Sequence, residues 1–125
     1  MKKEITVVIV GTGTVGRELI RRLVLLTESG HSYFEPITHI FFHKETPRQE
    51  NVARIAKLNH LISRGVVPRL CVNESQINAF RNIGMNPDCS TEEVLQKASV
   101  IIDATPAGAK NKERYDKLAP QAICI

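Results

Sequence analysis

The chain has 125 residues, of which 42% are hydrophobic and 24% are charged. This composition excludes a disordered polymer, and the length fits one domain spanning 1–125 with no room for a separate catalytic domain. The formal net charge of +4 suggests an anionic partner but does not identify it.

No part of the sequence has the pattern of a membrane segment. The basic residues at 2–3 are like the start of a signal peptide, but Glu4 interrupts them and Gly11 ends the apolar stretch that follows. Every apolar run is far shorter than the ~20 residues that cross a bilayer. The three cysteines lack the spacing of a zinc motif. We therefore expect a cytoplasmic protein that contacts no membrane and binds no metal.

Strand and helix patterns alternate along the first half of the chain. Residues 5–10 form a continuous β-branched run, which is typical of a strand buried on both faces of a parallel sheet. Apolar side chains then recur at helical spacing at Val15, Leu19, Ile20, Leu23 and Leu26. The elements predicted next are strands at 37–42 and 66–72 and a helix at 52–61 with Val52, Ile55, Ala56 and Leu58 facing inward. Pro68 is expected at an edge or at the first position of its strand.

The second half continues the alternation with clearer boundaries. A helix over 75–83 ends at Gly84, and Ser90 or Thr91 is placed to cap a helix that ends near Lys97. The remaining predicted elements are strands at 99–104 and 121–125 and a helix at 110–118. This order predicts a Rossmann-like, doubly wound α/β fold, with a mainly parallel sheet and helices on both faces.

A glycine-rich turn joins the first predicted strand to the first predicted helix. Its residues are Gly11, Thr12, Gly13, Thr14, Val15 and Gly16, which match the GxGxxG pattern of dinucleotide-binding proteins. In that pattern the first glycine permits the tight turn, the second lets a pyrophosphate approach the backbone, and the third lets helix and strand pack closely. The amides of Thr14 and Val15 then point at the phosphate oxygens. The alternative is a glycine turn that serves only the backbone geometry.

The end of the second predicted strand bears on which dinucleotide is bound. Proteins that bind NAD carry an acidic residue there, which hydrogen-bonds the ribose hydroxyls. This strand instead ends in Phe42, His43 and Lys44, and a cation suits the 2′-phosphate of NADP. We therefore expect NADP or NAD to bind, with NADP preferred. Lys44 as an ordinary solvated loop residue is the alternative.

Segment 42–70 contains the excess positive charge of the chain. It has six basic side chains against two acidic ones, a local net charge of +4. A solvated helical face explains such an excess without any partner, and an anion site for phosphate is the alternative. Nucleic acid is not expected as a partner, because only 5% of the residues are aromatic and no tryptophan is available for bases to stack on.

A second turn, at 105–108, follows the predicted strand at 99–104 and reaches the same edge of the sheet. Ligands of doubly wound sheets bind outside the carboxyl ends of the strands. We therefore expect this turn to face the ribose and nicotinamide of a cofactor.

The two turns together resemble the archaeal type of glyceraldehyde-3-phosphate dehydrogenase. That family carries the pattern GxGT[IV]G[KR], matched here by 11–17, and later a DATP segment, matched by 103–106. Gly108, the KNK run at 110–112 and Tyr115 continue the match. The resemblance covers essentially the whole chain and identifies it with the amino-terminal nucleotide-binding domain of that family.

The resemblance implies that NAD or NADP binds through the glycine turn, with Thr105 and Gly108 near the nicotinamide half. Lys44 and Pro47 are similar to a lysine and a proline that follow the second strand of the family. Val10 departs from the asparagine common there, and the loop after the DATP segment is shorter. The catalytic cysteine domain of the family would begin after the last predicted strand. We therefore expect this chain to lack the catalytic half.

Neither the cysteines nor the histidines form a catalytic or metal-binding set. Cys71 and Cys124 are predicted in strands, where a cysteine is usually a small buried hydrophobe. Cys89 precedes a helix, but no histidine is close to it in sequence. His43 alone falls near the predicted cofactor site, and a hydrogen-bonded loop histidine is its ordinary interpretation. We therefore assign no catalytic residue.

Two functions of different class remain open. The first is the dinucleotide-binding domain of an oxidoreductase similar to glyceraldehyde-3-phosphate dehydrogenase, with any catalytic half on a separate chain. The second is a non-catalytic Rossmann module with a regulatory, structural or oligomer-forming role. A homo-oligomer would then cover the surface that the missing domain normally buries.

Overall fold

The computed structural model describes residues 4–28, 37–59, 66–106 and 108–125, and six strands in these ranges form one sheet. The strands are β1 (Thr6–Val10), β2 (His39–His43), β3 (Pro68–Val72), β4 (Cys89–Ser90), β5 (Val100–Asp103) and β6 (Ile123–Cys124). The α-helices are α1 (Thr14–Glu28), α2 (Val52–Asn59), α3 (Ile77–Asn82), α4 (Thr91–Gln96) and α5 (Gly108–Leu118). Short 3-10 turns at Gln49–Asn51 and Glu74–Gln76 lead into α2 and α3.

The strands lie in the order β4-β3-β2-β1-β5-β6, and every neighbouring pair is parallel. The chain builds outward from β1 through β2 and β3 to β4, and then crosses back to β5 on the other side of β1. The direction of winding therefore reverses between β1 and β5, and ligands of such sheets bind outside the carboxyl ends of the strands at this reversal. This topology confirms the predicted Rossmann-like α/β fold.

Helices cover both faces of the sheet because side chains alternate along each strand. Val7 and Ile9 of β1 pack in one core with buried residues of α1, α2 and α3. Val8 and Val10 pack in a second core with buried residues of α4 and α5. Both faces of β1 are therefore buried, which explains why its sequence is a β-branched run rather than an alternation of apolar and polar residues.

Hydrogen bonds from side chains secure both ends of α4. Of the two caps that the sequence offered, Ser90 is the one used, because its hydroxyl accepts the N–H of Glu93 at 3.2 Å. At the other end, the side-chain amide of Gln121 donates to three carbonyls at 3.0–3.1 Å. The segment leading into β6 is thereby fixed to the end of α4.

Three helical side chains are more exposed than their spacing indicates. Ala56 was expected to face inward, but it is exposed because it lines an open groove between α2 and the loop after Gly84. Val15 and Leu26 share the helical spacing of α1 but are 65% and 57% exposed, whereas Val24 is buried. The predictions for residues 60–61 and the basic Arg64 fall outside the described residues.

The edges of the sheet also differ from expectation. The two-residue strand β4 was not predicted, and it pairs with β3 through Cys89 and Ser90. Cys124 was expected to be buried but is exposed, because β6 lies at the edge of the sheet. Pro68 is the first residue of β3, as expected. In the ranges that the structure describes, no helix is both long enough and apolar enough to cross a membrane.

Candidate functional site

The carboxyl ends of β1, β2 and β5 meet at one edge of the sheet, where each strand leads into a turn. The N–H of Gly11 donates to the carbonyl of His43 at 3.3 Å, joining the glycine turn to the end of β2. The N–H of Ala104 donates to the carbonyl of Val10 at 2.8 Å, joining the turn after β5 to the end of β1. The three turns are therefore held next to one another by backbone hydrogen bonds.

The three glycines of the first turn have different surroundings. Gly11 has a φ of +110°, and a Cβ there would lie 3.0 Å from the Thr105 side chain. A Cβ on Gly16 would lie only 2.0 Å from the carbonyl oxygen of Gly11. A Cβ on Gly13, by contrast, would meet nothing within 4 Å. Packing therefore requires Gly11 and Gly16, while Gly13 borders open space from which a ligand can approach the backbone.

The first turn of α1 carries positive electrostatic character. α1 begins at Thr14, its first turn has no acidic residue, and its first N–H groups have no acceptor within the helix. The Nε of Arg17 donates to the carbonyl of Gly13 at 3.4 Å, which adds a full positive charge beside the turn. Such a helix start attracts phosphate oxygens.

A cleft of about 590 Å³ opens at this edge, a size typical of small-molecule sites. It is lined by Val10, Gly11, Thr12, His43, Lys44, Glu45, Thr46, Arg48, Thr105, Lys110 and Asn111. The predicted cofactor residues in this lining are Gly11, Thr12, His43, Lys44 and Thr105, whereas Gly13, Thr14, Val15, Gly16 and Gly108 are not part of it. One cleft thus brings together the two turns and the strand end that the sequence pointed to separately.

Asp103, the last residue of β5, is the centre of a hydrogen-bond cluster beside the cleft. One carboxylate oxygen accepts the N–H of Thr105 at 2.8 Å and also its hydroxyl. The other accepts the amide of Asn111 at 3.0 Å and the hydroxyl of Tyr115 at 2.6 Å. The carboxylate therefore fixes the turn after β5 to the first half of α5.

These contacts keep Asp103 ionised. Partial burial by itself would raise the pKa of this carboxyl, but hydrogen bonds from Thr105, Tyr115 and Asn111 hold the pKa below its ordinary value of 3.8. Burial, together with the adjacent negative charge, raises the pKa of the Tyr115 phenol. Asp103 therefore accepts hydrogen bonds as an anion and does not serve as a proton donor at neutral pH.

Lys44 lies half-buried in the cleft among other cations. Partial burial lowers the pKa of its ammonium group, and nearby Arg48 and Arg54 lower it further, while Glu50 acts in the opposite direction. Because like charges raise the energy of this cluster, a bound anion would relieve their repulsion. The surroundings of Lys44 therefore favour a bound anion.

His43 is buried, and both of its ring nitrogens have partners. Nε2 lies 2.7 Å from a carboxylate oxygen of Glu45, and Nδ1 lies 2.6 Å from the hydroxyl of Thr91. Burial lowers the pKa of the imidazole, although the contact with Glu45 opposes this. A carboxylate only accepts, so the neutral ring donates through Nε2 and accepts the Thr91 hydroxyl proton at Nδ1. The ring of His43 thus supports the loop after β2.

Several cleft residues were not identified from the sequence. Glu45, Arg48, Lys110 and Asn111 line the cleft, and Asp103 organises it. β2 itself ends without an acid, as expected, but Glu45 follows two residues later. The acidic side chain of Glu45, two residues beyond that strand end, was the available signal. The role of Asp103 depends on partners as far along the chain as Tyr115, which no local pattern reveals.

A basic groove of about 340 Å³ runs between α1 and α2, next to the cleft. It is lined by Arg17, Arg21, Glu50, Ala53, Arg54, Lys57 and Leu58. Four cations against one carboxylate give this surface a strong positive potential. The charge excess of segment 42–70 therefore lies in part beside the cleft.

The described residues provide no catalytic thiol or metal site at the cleft. Burial raises the pKa of Cys71 to about 12, and burial also raises the pKa of the half-buried Cys89. Cys124 is exposed on β6, and no cysteine is in the cleft lining. Within the described ranges no group of three or more His, Cys, Asp and Glu side chains is placed to hold a metal ion.

The parallel sheet, the reversal of winding and the glycine turn define a Rossmann-like α/β fold. No family model matches the chain. The chain is 36% identical over 59 residues to the glyceraldehyde-3-phosphate dehydrogenase of Pyrococcus abyssi, which covers 46% of this chain and 18% of that enzyme. It is 41% identical over 49 residues to glyceraldehyde-3-phosphate dehydrogenase 1 of Methanosarcina acetivorans, 38% of this chain and 15% of the enzyme.

The enzyme of Thermococcus onnurineus is similar at 37% identity over 59 residues, again 46% of this chain and 18% of the relative. Each aligned stretch therefore spans less than a fifth of the archaeal enzyme it matches. Part of this chain thus resembles archaeal glyceraldehyde-3-phosphate dehydrogenases, which confirms the family resemblance. The aligned stretches cover 38–46% of this chain, less than the whole-chain extent expected from the two turns.

Proposed function

We propose that this chain is the dinucleotide-binding domain of an oxidoreductase similar to glyceraldehyde-3-phosphate dehydrogenase, and that NADP or NAD binds at the carboxyl edge of the sheet. The observation that carries the proposal is the cleft of about 590 Å³ at the reversal of winding, which brings the glycine turn, Lys44 and Thr105 together. The similarity to archaeal glyceraldehyde-3-phosphate dehydrogenases supports a nicotinamide dinucleotide as the ligand.

Each part of the dinucleotide has a proposed neighbour on the protein. The pyrophosphate lies over Gly13 and the amides at the start of α1, where open space and the helix dipole favour it. The adenosine ribose lies beside Lys44, and the nicotinamide half lies beside Thr105. The residues proposed to contact the cofactor are Gly11, Thr12, Gly13, Thr14, Val15, Gly16, His43, Lys44, Thr105 and Gly108.

We further propose that NADP binds more tightly than NAD. Arg48 and Arg54 lie close enough to Lys44 to act on its charge, and a 2′-phosphate would bring two negative charges beside these cations. A free 2′-hydroxyl offers no such compensation. The preference therefore follows from the repulsion among the cations that the 2′-phosphate would relieve.

The aldehyde chemistry of such an oxidoreductase would depend on residues outside this site. The role of the domain is to hold the cofactor, while a nucleophile from another domain or a partner chain completes the active site. The buried Cys71 and the edge residue Cys124 are poor candidates for that nucleophile. We place this activity in the cytoplasm.

A second candidate function is a non-catalytic module that assembles with copies of itself. It is favoured by Ile123 and Ile125 at the β6 edge, which are 66% and 74% exposed. Sedimentation of the purified chain separates the two functions. A monomer that binds NADP supports the first, and a stable assembly without dinucleotide affinity supports the second.

The proposed function is tested by calorimetric titration of the chain with NADP and with NAD. We expect both to bind and NADP to bind more tightly, and Lys44→Ala to weaken NADP binding about tenfold because a charged contact is lost. Lys117→Ala, a change of the same kind on the exposed end of α5, should leave both affinities unchanged.

Each result has a defined consequence. The absence of binding by either dinucleotide at millimolar concentration would overturn the proposed function. NAD bound tenfold more tightly than NADP would overturn the preference alone.

A further inference from the structure

Glu45 is the one acidic side chain in the cleft lining among the described residues. Its position raises the question whether the site favours the free ribose of NAD or the 2′-phosphorylated ribose of NADP. A carboxylate near the end of the second strand normally accepts the hydroxyls of an NAD ribose and repels a 2′-phosphate. We propose that His43 and Asn73 form a latch that holds the Glu45 carboxylate away from the ribose, so that Lys44 can accept the 2′-phosphate. This inference rests on the proposed function.

Two contacts hold the Glu45 side chain. One carboxylate oxygen lies 2.7 Å from Nε2 of His43, and the other accepts the side-chain amide of Asn73 at 3.1 Å. Both oxygens therefore have protein partners, although 71% of the side chain is exposed. The hydrogen bond from His43 also lowers the pKa of Glu45, so this contact is made by the ionised carboxylate.

The latch is itself anchored by neighbouring elements. Asn73 directly follows β3, and its side-chain oxygen accepts a hydrogen bond from Arg114 of α5 at 2.7 Å. Arg114 in turn lies 3.5 Å from a carboxylate oxygen of Glu92 in α4. His43 is fixed from its other side by Thr91. Asn73 and His43 are therefore held in place by α4 and α5.

The sheet order determines the direction in which the latch draws the carboxylate. The glycine turn follows β1, and β1 lies on one side of β2. Asn73 follows β3, which lies on the other side of β2. The contact with Asn73 therefore draws the carboxylate of Glu45 towards the β3 side of the cleft, away from the glycine turn, and leaves Lys44 beside Arg48 in the same lining.

Charge explains why the latch would affect specificity. A released carboxylate could accept the ribose hydroxyls of NAD, which strengthens NAD binding, and would repel the 2′-phosphate of NADP. In the latched state the guanidinium of Arg114 also stabilises the negative charge of Glu45. Asn73 is thus proposed as a positioning residue that acts through Glu45 and touches no part of the cofactor.

The test compares the ratio of the NAD and NADP dissociation constants among variants of the full chain, by calorimetry. We expect Asn73→Ala to release Glu45 and shift this ratio about tenfold towards NAD, because a like charge then faces the phosphate. The double variant Asn73→Ala/Glu45→Gln should recover the wild-type ratio, because the released side chain is then neutral.

Asn82→Ala, a change of the same kind at the exposed end of α3, serves as the control and should leave the ratio unchanged. If thermal melting shows that Asn73→Ala does not fold, Asn73→Asp tests the same idea, because a second carboxylate would repel that of Glu45. A purely structural role of Asn73 would weaken both dinucleotides equally and leave the ratio unchanged.

The outcomes separate the latch from the proposed function. The latch is supported if Asn73→Ala shifts the ratio towards NAD and the added Glu45→Gln change returns it to the wild-type value. The latch is overturned if folded Asn73→Ala still binds both dinucleotides with a ratio within twofold of the wild-type value. A wild-type chain that binds neither dinucleotide overturns both the proposed function and the latch that rests on it.

Discussion

At the scale of single residues, two glycines of the same turn have opposite requirements. A Cβ on Gly16 would lie 2.0 Å from a backbone oxygen, so the start of α1 and the end of β1 would have to separate. A Cβ on Gly13 would meet no protein atom within 4 Å. Gly16 thus serves folding, and Gly13 serves the ligand that we propose.

We expect Gly16→Ala to lower the free energy of unfolding by about 2–3 kcal/mol, because a backbone clash cannot be relieved by a side-chain rotation. Gly13→Ala should change it by less than about 0.5 kcal/mol. The same Gly13→Ala variant should lose NADP affinity about tenfold or more, because its methyl group occupies the proposed path of the pyrophosphate. Urea denaturation and calorimetry measure the two effects, and equal stability losses in both variants would contradict this assignment.

The sequence identified individual site residues to the extent that their signals are local. The glycine turn and Lys44 follow directly after predicted strands, so their placement at the cleft could be predicted from chain order. Glu45 was overlooked because an acid two residues beyond a strand does not match the expected position. Its partner Asn73 lies 28 residues away, and only the pairing of β2 with β3 brings the two together.

At the scale of elements, Asp103 ties β5 and the turn that follows to α5. The carboxylate accepts hydrogen bonds from Thr105, Asn111 and Tyr115, so one side chain sets the position of the first half of the helix. A change at Asp103 should therefore disturb the whole unit of strand, turn and helix.

We expect Asp103→Asn to lower the free energy of unfolding by about 1–3 kcal/mol at neutral pH, because the amide cannot accept at both positions. The folded-state pKa of Asp103 lies below its ordinary value of 3.8, so its stabilising effect is complete above that value. The effect is lost as the pH falls through the lower folded-state pKa.

The difference between wild type and Asp103→Asn should therefore shrink as the pH falls below about 3.8, as followed by urea denaturation at several pH values. Asp116→Asn on the exposed face of α5 should change stability by less than about 0.5 kcal/mol. A difference that stays constant down to pH 2 would contradict the proposed origin of the effect.

The elements with a strong periodic pattern were predicted, and those stabilised mainly by distant contacts were not. The β-branched run of β1 and the apolar spacing of α1 are local signals. The strand β4 has only two residues and depends on pairing with Cys71 and Val72 of β3. Ala56 matched the apolar spacing of α2, but its exposure depends on an open groove beside the helix, which the spacing cannot reveal.

At the scale of the whole molecule, the net charge of +4 is unevenly distributed around the proposed site. The basic groove between α1 and α2 adjoins the cleft, and Arg54 of the groove also acts on Lys44. A surface of this kind raises the local concentration of anions before any specific contact is made.

We expect the association rate of NADP to fall as ionic strength rises, because salt screens this attraction. The double variant Arg21→Gln/Lys57→Gln should reduce the association rate about two- to threefold at low salt and leave the dissociation rate unchanged. Stopped-flow fluorescence with NADPH measures both rates. Lys117→Gln on α5 is the control, and an equal reduction in this variant would show that net charge alone matters rather than the groove.

The parallel sheet also dictates when the site can exist during synthesis of the chain. β1 and its glycine turn leave the ribosome well before β5, with which β1 pairs. The N–H of Thr6 in β1, for example, donates to the hydroxyl of Ser99, just before β5 and 93 residues further along the chain. Thr105 lies later still. A nascent chain therefore carries the glycine turn long before it has the opposite wall of the cleft, and the proposed dinucleotide binding is expected to begin only after β5 and Thr105 have emerged.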